Sequence, residues 1–274
     1  MFFDNSKYFI FDRSITTSSG KEIQVYKLNS ESLDDNSLNN WALGLRDNYV
    51  EQIHLKSLVK GTGLTQKEYL EKNVFPNHQD KIGASTMSGE FGEILVYDYI
   101  NFVLKYYITR TRYLEKINPN MPVPGSDVIG YKVKNANKPC KSDHLIVAEV
   151  KTRSSKVGNK TSLCEKTVTN AIEHSIKDRV RIGESLNAEK RRLLNRLRYD
   201  EAKIVERFQN KTDNPFTLDF FAVAVLDNEL YSEEMILDAV NSQHENLKST
   251  NVLIIHSKEL KLFLRGLYRR ACSC

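Results

Sequence analysis

The chain has 274 residues, 40% hydrophobic and 27% charged: enough for one substantial core or two small ones, and unlike a disordered, collagen-like or disulfide-knotted chain. No apolar run approaches the roughly 20 residues that span a bilayer, and the opening MFFDNSKYFIFDR carries early charges instead of a basic stretch before an apolar one, so neither a membrane span nor an export signal is expected. Four cysteines, Cys140, Cys164, Cys272 and Cys274, are too few and too unevenly spaced for a disulfide framework, which fits a reducing cytoplasm; the net charge is +5.

Taken in chain order, Lys7 to Leu28 reads as strand, turn, strand, with Ser-Ser-Gly as the connection of a hairpin. Asn29 to Trp41 offers Asn, Ser and Asp candidates for a helix N-cap, and Tyr49 to Val59 is read as a further strand of ambiguous period. The spacing of Phe91, Ile94, Leu95, Tyr99, Val103, Leu104 and Tyr107 predicts one long helix from about Ser85 to Tyr113, after which Pro122 and Pro124 enforce a loop. SDVIGYKV (126–133) and HLIVAEVK (144–151) are strand-like and separated by the turn-forming KNANKPCKSD, so they are expected to pair. Helical spacing returns from Ser162 to Arg207, with a break expected near Gly183 to Asn187 that would make two basic helices. A buried strand at 216–226, a helix near 233–241, a second buried strand at 252–256 and a basic amphipathic helix at 258–270 close the chain. The order from residue 85 onward predicts an α/β sheet covered by helices.

The charge is unevenly placed. Lys132 to Lys211 holds 20 basic and 10 acidic residues, a window of +10, and the rest of the chain is −5. Such a concentrated field suits a polyanion, although a solvated helical surface has the same composition. Beside and inside this window lie the residues with the most chemical content. Glu149 and Lys151 stand two apart at the end of an apolar strand, so their side chains share one face while Val150 points the other way into packing. Asp127 opens the preceding strand. If the two strands pair, both carboxylates can meet one divalent cation, and two oxygen ligands plus water suit Mg²⁺. Lys151 would then orient the attacking water and stabilise charge at phosphorus. A third acid to complete the metal shell comes from STMSGEFGEILVYDYI, where Glu90 and Glu93 share a helical face that two glycines leave open; Glu93, followed directly by the packed run, is the favoured metal ligand. Taken singly, each of these residues has a bland reading as a surface ion pair, a turn residue or a helix-terminal acid.

The order helical Glu93, then Asp127, then Glu149-Val-Lys151 in a strand resembles the PD-(D/E)xK phosphodiesterase superfamily, with Pro124-Gly-Ser-Asp127 in place of the usual Pro-Asp. More narrowly, GEFGE, GSDVIGY and AEVKTRSS followed by basic helices look like the nuclease-subunit family (HamA) of Hachiman-type anti-phage systems, or the nuclease of the similar Abp system. The resemblance implies a restriction-endonuclease-like mixed sheet flanked by helices over residues 81–274, with inserted basic helices at about 163–207. It also implies Mg²⁺, with Mn²⁺ as a substitute, DNA as substrate, and a superfamily 2 helicase partner. Residues 1–80 carry no matching motif and are expected as an N-terminal extension that docks the partner. The superfamily often places a phosphate contact on the helix after the Glu-x-Lys strand, where Lys166, Asn170, Glu173, His174 and Lys177 recur; Lys177 is the candidate contact, with Arg153 as a second. Ion pairing on that helix is the competing reading. Arg192, Arg196, Arg198 and Lys203 read as a solvated basic face. No paired histidines, zinc-like cysteine spacing or Walker lysine loop is present. A non-catalytic DNA-binding adaptor and an RNA-directed nuclease with the same site stay open beside the deoxyribonuclease reading.

Overall fold

The structure, a computed structural model, describes residues 2–135, 138–155, 160–243, 247 and 249–274; residues 136 and 137 of the expected turn lie outside it. Six strands form one mixed sheet: β1 (Phe9–Thr16), β2 (Glu22–Leu28), β3 (Val128–Lys132), β4 (His144–Arg153), β5 (Thr217–Asp227) and β6 (Thr250–Ser257), in the order β1-β2-β6-β5-β4-β3. The hairpins β1–β2 and β3–β4 are antiparallel, and β2, β6, β5 and β4 run parallel. Both faces are covered, as expected for an α/β sheet. One face carries α1 (Asp35–Asp47), α4 (Lys81–Asp98) and α8 (Leu260–Ser273); the other carries α5 (Lys160–Asn195), α6 (Tyr199–Arg207) and α7 (Glu233–Ser242). Strand β4 shows why. Ile146, Ala148 and Val150 join the core on the α4 side and Leu145 and Val147 the core on the α6 side, so the near-continuous apolar run is what a strand buried on both faces requires.

The structure differs from the sequence reading at four places. Residues 1–80, expected as an extension, supply β1 and β2 to the common sheet, with Ile23 to Leu28 paired against Val252 to Ser257. The segment read as a strand at 49–59 holds the helix α2 (Gln52–Val59), in which only Leu55 is fully buried, which explains the ambiguous period. The long helix stops at Asp98, passes through a π turn at Tyr99–Val103 and gives way to irregular chain containing Lys105 and Arg110 at positive φ. Val103, Leu104 and Tyr107, which continue the apolar spacing, are half-buried against the core at and beyond the end of the helix, so the spacing records burial and not an unbroken α-helix. The break expected at Gly183 is absent: α5 runs unbroken for 36 residues, because a single glycine costs only about 1 kcal/mol in a helix whose flanks are packed.

Candidate active site

The register of β3 on β4 creates the site. Val128 faces Ala148, so Asp127 arrives beside the end of β4, and its Oδ2 accepts a hydrogen bond from the Val150 backbone N–H at 3.0 Å. Glu149 and Lys151 project from the same side of β4, and the Lys151 ammonium donates to Glu149 Oε1 at 2.5 Å. Glu93 comes from α4. It approaches through Gly92, which lies so close to β4 that a Cβ there would meet Thr152 Oγ1 at 1.8 Å, whereas Gly89 has nothing within 4 Å. Of the two glycines expected to leave this face open, only Gly89 does; Gly92 is a packing contact. Gly92→Ala is therefore expected to push α4 away from β4 and cost about 1–3 kcal/mol, with Gly89→Ala close to neutral, as thermal melts of the two variants would show.

Glu90 and Glu93 part company. Glu90 turns into the α4–α8 core, where Lys116 and the Tyr49 hydroxyl hold it. Glu93 accepts a hydrogen bond from the Tyr113 hydroxyl and pairs with Arg112 at 3.0 Å, and Arg112 also reaches Asp127 at 3.2 Å. Glu93, Asp127 and Lys151 line one cavity of about 730 Å³. Glu149 lies beneath its floor, 3% exposed, under Lys151, His174 Nδ1 at 3.4 Å and Arg181 at 3.7 Å; its Oε2 is buried and has no hydrogen-bond partner.

Burial and then the neighbouring Asp127 carboxylate push Glu149 and Glu93 each up to about 8. Lys151 responds in the opposite sense. Burial disfavours its charge, but Glu149, Asp127 and Glu93 outweigh that cost and its pKa is raised, so the side chain remains an ammonium at neutral pH. Perturbed carboxylates around a fixed cation beside a cavity are what makes this end of β4 the candidate site. Among the described residues no group of three or more His, Cys, Asp or Glu side chains is arranged to hold a metal ion. Glu93 faces Asp127 across the Arg112 guanidinium and does not form a three-acid cage with the other two.

A model of the HamA family matches residues 2–271, nearly the whole chain, and so takes in β1, β2 and α8 together with the central sheet. The chain belongs to the HamA family. That places it among proteins of Hachiman-type defence. No curated protein and no solved structure matches it.

In this HamA-family chain the three sequence-predicted acids and the lysine of the motif gather at one end of β4. The predicted phosphate contacts do so unequally: Arg153 lines the cavity, whereas Lys177 is exposed on α5 and does not. Of Arg192, Arg196, Arg198 and Lys203, expected as a solvated face, Lys203 is exposed beside Asp200 as expected, whereas Arg192 donates to Thr111, Arg196 pairs with Glu51 and Arg198 donates to the Thr109 carbonyl, so part of the +10 window ties this helical segment to the rest of the chain. Two residues, Arg112 and Arg181, were missed, and His174, named on its helix, was passed over in favour of Lys177. Arg112 contacts Glu93, Asp127 and the carbonyls of Val123 and Ser126, yet it sits in irregular chain with no periodicity to betray it. His174 and Arg181 are seven apart on α5, two helical turns, with Asp178 between them; Asp178 accepts from Arg181 Nε at 2.9 Å and from the Ser126 hydroxyl at 3.0 Å. That heptad spacing was the available signal.

Among the described residues no helix is long and apolar enough to cross a membrane.

Proposed function

We propose that this HamA-family chain is a Mg²⁺-dependent deoxyribonuclease of the PD-(D/E)xK type, acting as the effector of a Hachiman defence system together with a superfamily 2 helicase. The observation that carries the proposal is the meeting of Asp127, Glu149 and Lys151 at two adjacent strand ends, with Asp127 and Lys151 lining a cavity that Arg112, Arg153 and Arg181 also wall and Glu149 buried against Lys151 just beneath it. The donor set suits the ion. Mg²⁺ uses one or two protein carboxylates and keeps its waters, and here are two carboxylates, one carrying a buried oxygen with no hydrogen-bond donor.

Asp127 and Glu149 would hold Mg²⁺, or Mn²⁺ in its place, which supplies Lewis-acid polarisation of the phosphodiester. Lys151, held as an ammonium, orients the attacking water and stabilises negative charge developing at phosphorus. Glu93 assists from behind Arg112, keeping that guanidinium against Asp127. Arg181 closes over Glu149 and offsets its charge, and His174, its pKa lowered by burial and then by Lys151, lies beside Glu149 as a neutral ring. An RNA substrate would meet the same groups, since chemistry at phosphorus needs no 2′-hydroxyl.

Two measurements test the reading. Purified protein, alone and with its helicase, should cut plasmid or linear DNA in Mg²⁺ and stop on chelation; absence of cleavage under both conditions counts against it. The metal-free protein should also lose stability as pH rises from about 4.5 to about 8, because the folded state retains protons on Glu149 and Glu93 that the unfolded chain releases. Mg²⁺ favours the ionised form and should therefore raise the melting temperature at pH 8 far more than at pH 5. Equal stabilisation at both pH values, or an undiminished one in Glu149→Gln, would mean that the ion binds elsewhere.

A further inference from the structure

The cavity at the site does not end at the metal-binding carboxylates. Its far wall is α8, which contributes Lys261 and Arg265, and it runs into a second cavity of about 560 Å³ that shares His78, Met87 and Arg265 with it and adds Arg269. Lys261, Arg265 and Arg269 are four residues apart in succession, so they stack along one stripe of the helix at intervals of about 6 Å. That separation is comparable to the distance between successive phosphates of a nucleic-acid strand.

The stripe differs from the remaining basic side chains around it. Lys258 pairs with Glu31, and Arg270 with Asp35, which anchors α8 to the N-terminal segment. Lys261, Arg265 and Arg269 have no ion-pair partner among the described residues, and Lys261 and Arg269 are exposed. Among the described residues lining the second cavity the one acid, Glu71, stands 4.0 Å from Lys67, and Lys72 adds a further cation to the wall. Three unpaired cations in a row, beginning in the active-site cavity and leading out of it, are the electrostatic form of a groove that follows a phosphodiester backbone. None of the three belongs to the +10 sequence window.

We infer that the Lys261–Arg265–Arg269 stripe of α8 is a binding track for one nucleic-acid strand, gripping the phosphates that leave the catalytic site along the α4–α8 face. The inference rests on the nuclease reading for the identity of its ligand, and it adds where the rest of the strand lies. A single strand satisfies the track because all three cations lie along one line, and one backbone can meet them in succession.

The test uses a fluorescein-labelled 20-nucleotide oligo-dT, in chelator to prevent turnover, with binding followed by anisotropy across a salt series. Replacing all three residues with alanine is expected to weaken binding roughly tenfold or more at 0.1 M salt and to flatten the log–log salt slope by about 2, three contacts at about 0.7 each for a single strand. Lys177→Ala, off the cavity, should change both much less. Lys261→Glu with Arg269→Glu gives a second variant confined to exposed positions, so a folding defect in the first does not decide the matter. Wild-type affinity and slope in that second variant overturn the track. Hydrolysis of bis(p-nitrophenyl) phosphate by the unaltered protein in Mg²⁺ reads the catalytic site separately. If that ester is cleaved while the variants bind oligo-dT unchanged, the track falls and the nuclease reading stands; if the variants lose binding but neither the ester nor DNA is cleaved, the nuclease reading falls and the track stands.

Discussion

Lys151→Ala is expected to slow phosphodiester cleavage by about a hundred- to a thousandfold, the loss typical when one preorganised charge-stabilising donor is removed, while the protein stays folded. The fold survives because Glu149 keeps His174 at 3.4 Å and Arg181 at 3.7 Å, and its pKa near 8 lets it take up a proton in place of the missing ammonium. Lys151→Arg should not restore the rate, since a planar guanidinium places its donors differently from a compact ammonium. The decisive comparison is single-turnover cleavage against DNA affinity. Affinity near that of the unaltered protein with a lost rate assigns Lys151 to the chemistry; a parallel fall in both would make it a binding residue. Full cleavage by the alanine variant, still sensitive to chelation, would remove Lys151 from the reaction altogether and with it the proposed arrangement.

Arg112→Ala is expected to be the most damaging substitution for stability, costing about 3–5 kcal/mol. The guanidinium is almost wholly buried and makes ion pairs with Glu93 and Asp127 and hydrogen bonds to the carbonyls of Val123 at 2.8 Å and Ser126 at 2.6 Å. Its removal leaves two buried carboxylates facing each other and unpins the 122–127 loop that delivers Asp127. Arg112→Lys should recover only a minor part, because one ammonium cannot serve acids and carbonyls on opposite sides of a flat fork. A chemical denaturation series reads the cost directly. A loss below about 1 kcal/mol would show that the loop is held by other contacts, chiefly the Ser126 interactions with Ser185 and Asp178.

The motif was legible because strand geometry is simple. Period two places Glu149 with Lys151 and sends Val150 into the core, and the pairing of adjacent strands brings Asp127 alongside. Helical spacing likewise identified Glu93, but it could not separate it from Glu90, since the two are distinguished by Lys116 and Arg112, which enter from irregular chain. Spacing misled wherever burial occurred without regular structure, as at Tyr99 to Tyr113. Charge counting found a true excess and the wrong inventory of free cations, because Arg192, Arg196 and Arg198 are committed to internal partners. The unpaired row on α8 belongs to the site only through tertiary packing, as α8 lies more than 100 residues beyond the Glu-x-Lys strand. No local pattern encodes that neighbourhood.

The parallel pairing of β2 with β6 joins Ile23 to Val252 across almost the whole chain. Such a contact closes an enormous loop and belongs to the slow end of folding. During synthesis the N-terminal hairpin must wait, its Ile23 and Val25 without the partner strand that buries them, until β6 leaves the ribosome, and α8 follows only after that. A ribosome stalled before residue 250 would release a chain with two raw sheet edges, one on β2 and one on β5, prone to aggregation and proteolysis. The sheet carrying the carboxylates is thus completed only once β6, more than 200 residues after β2, has been made.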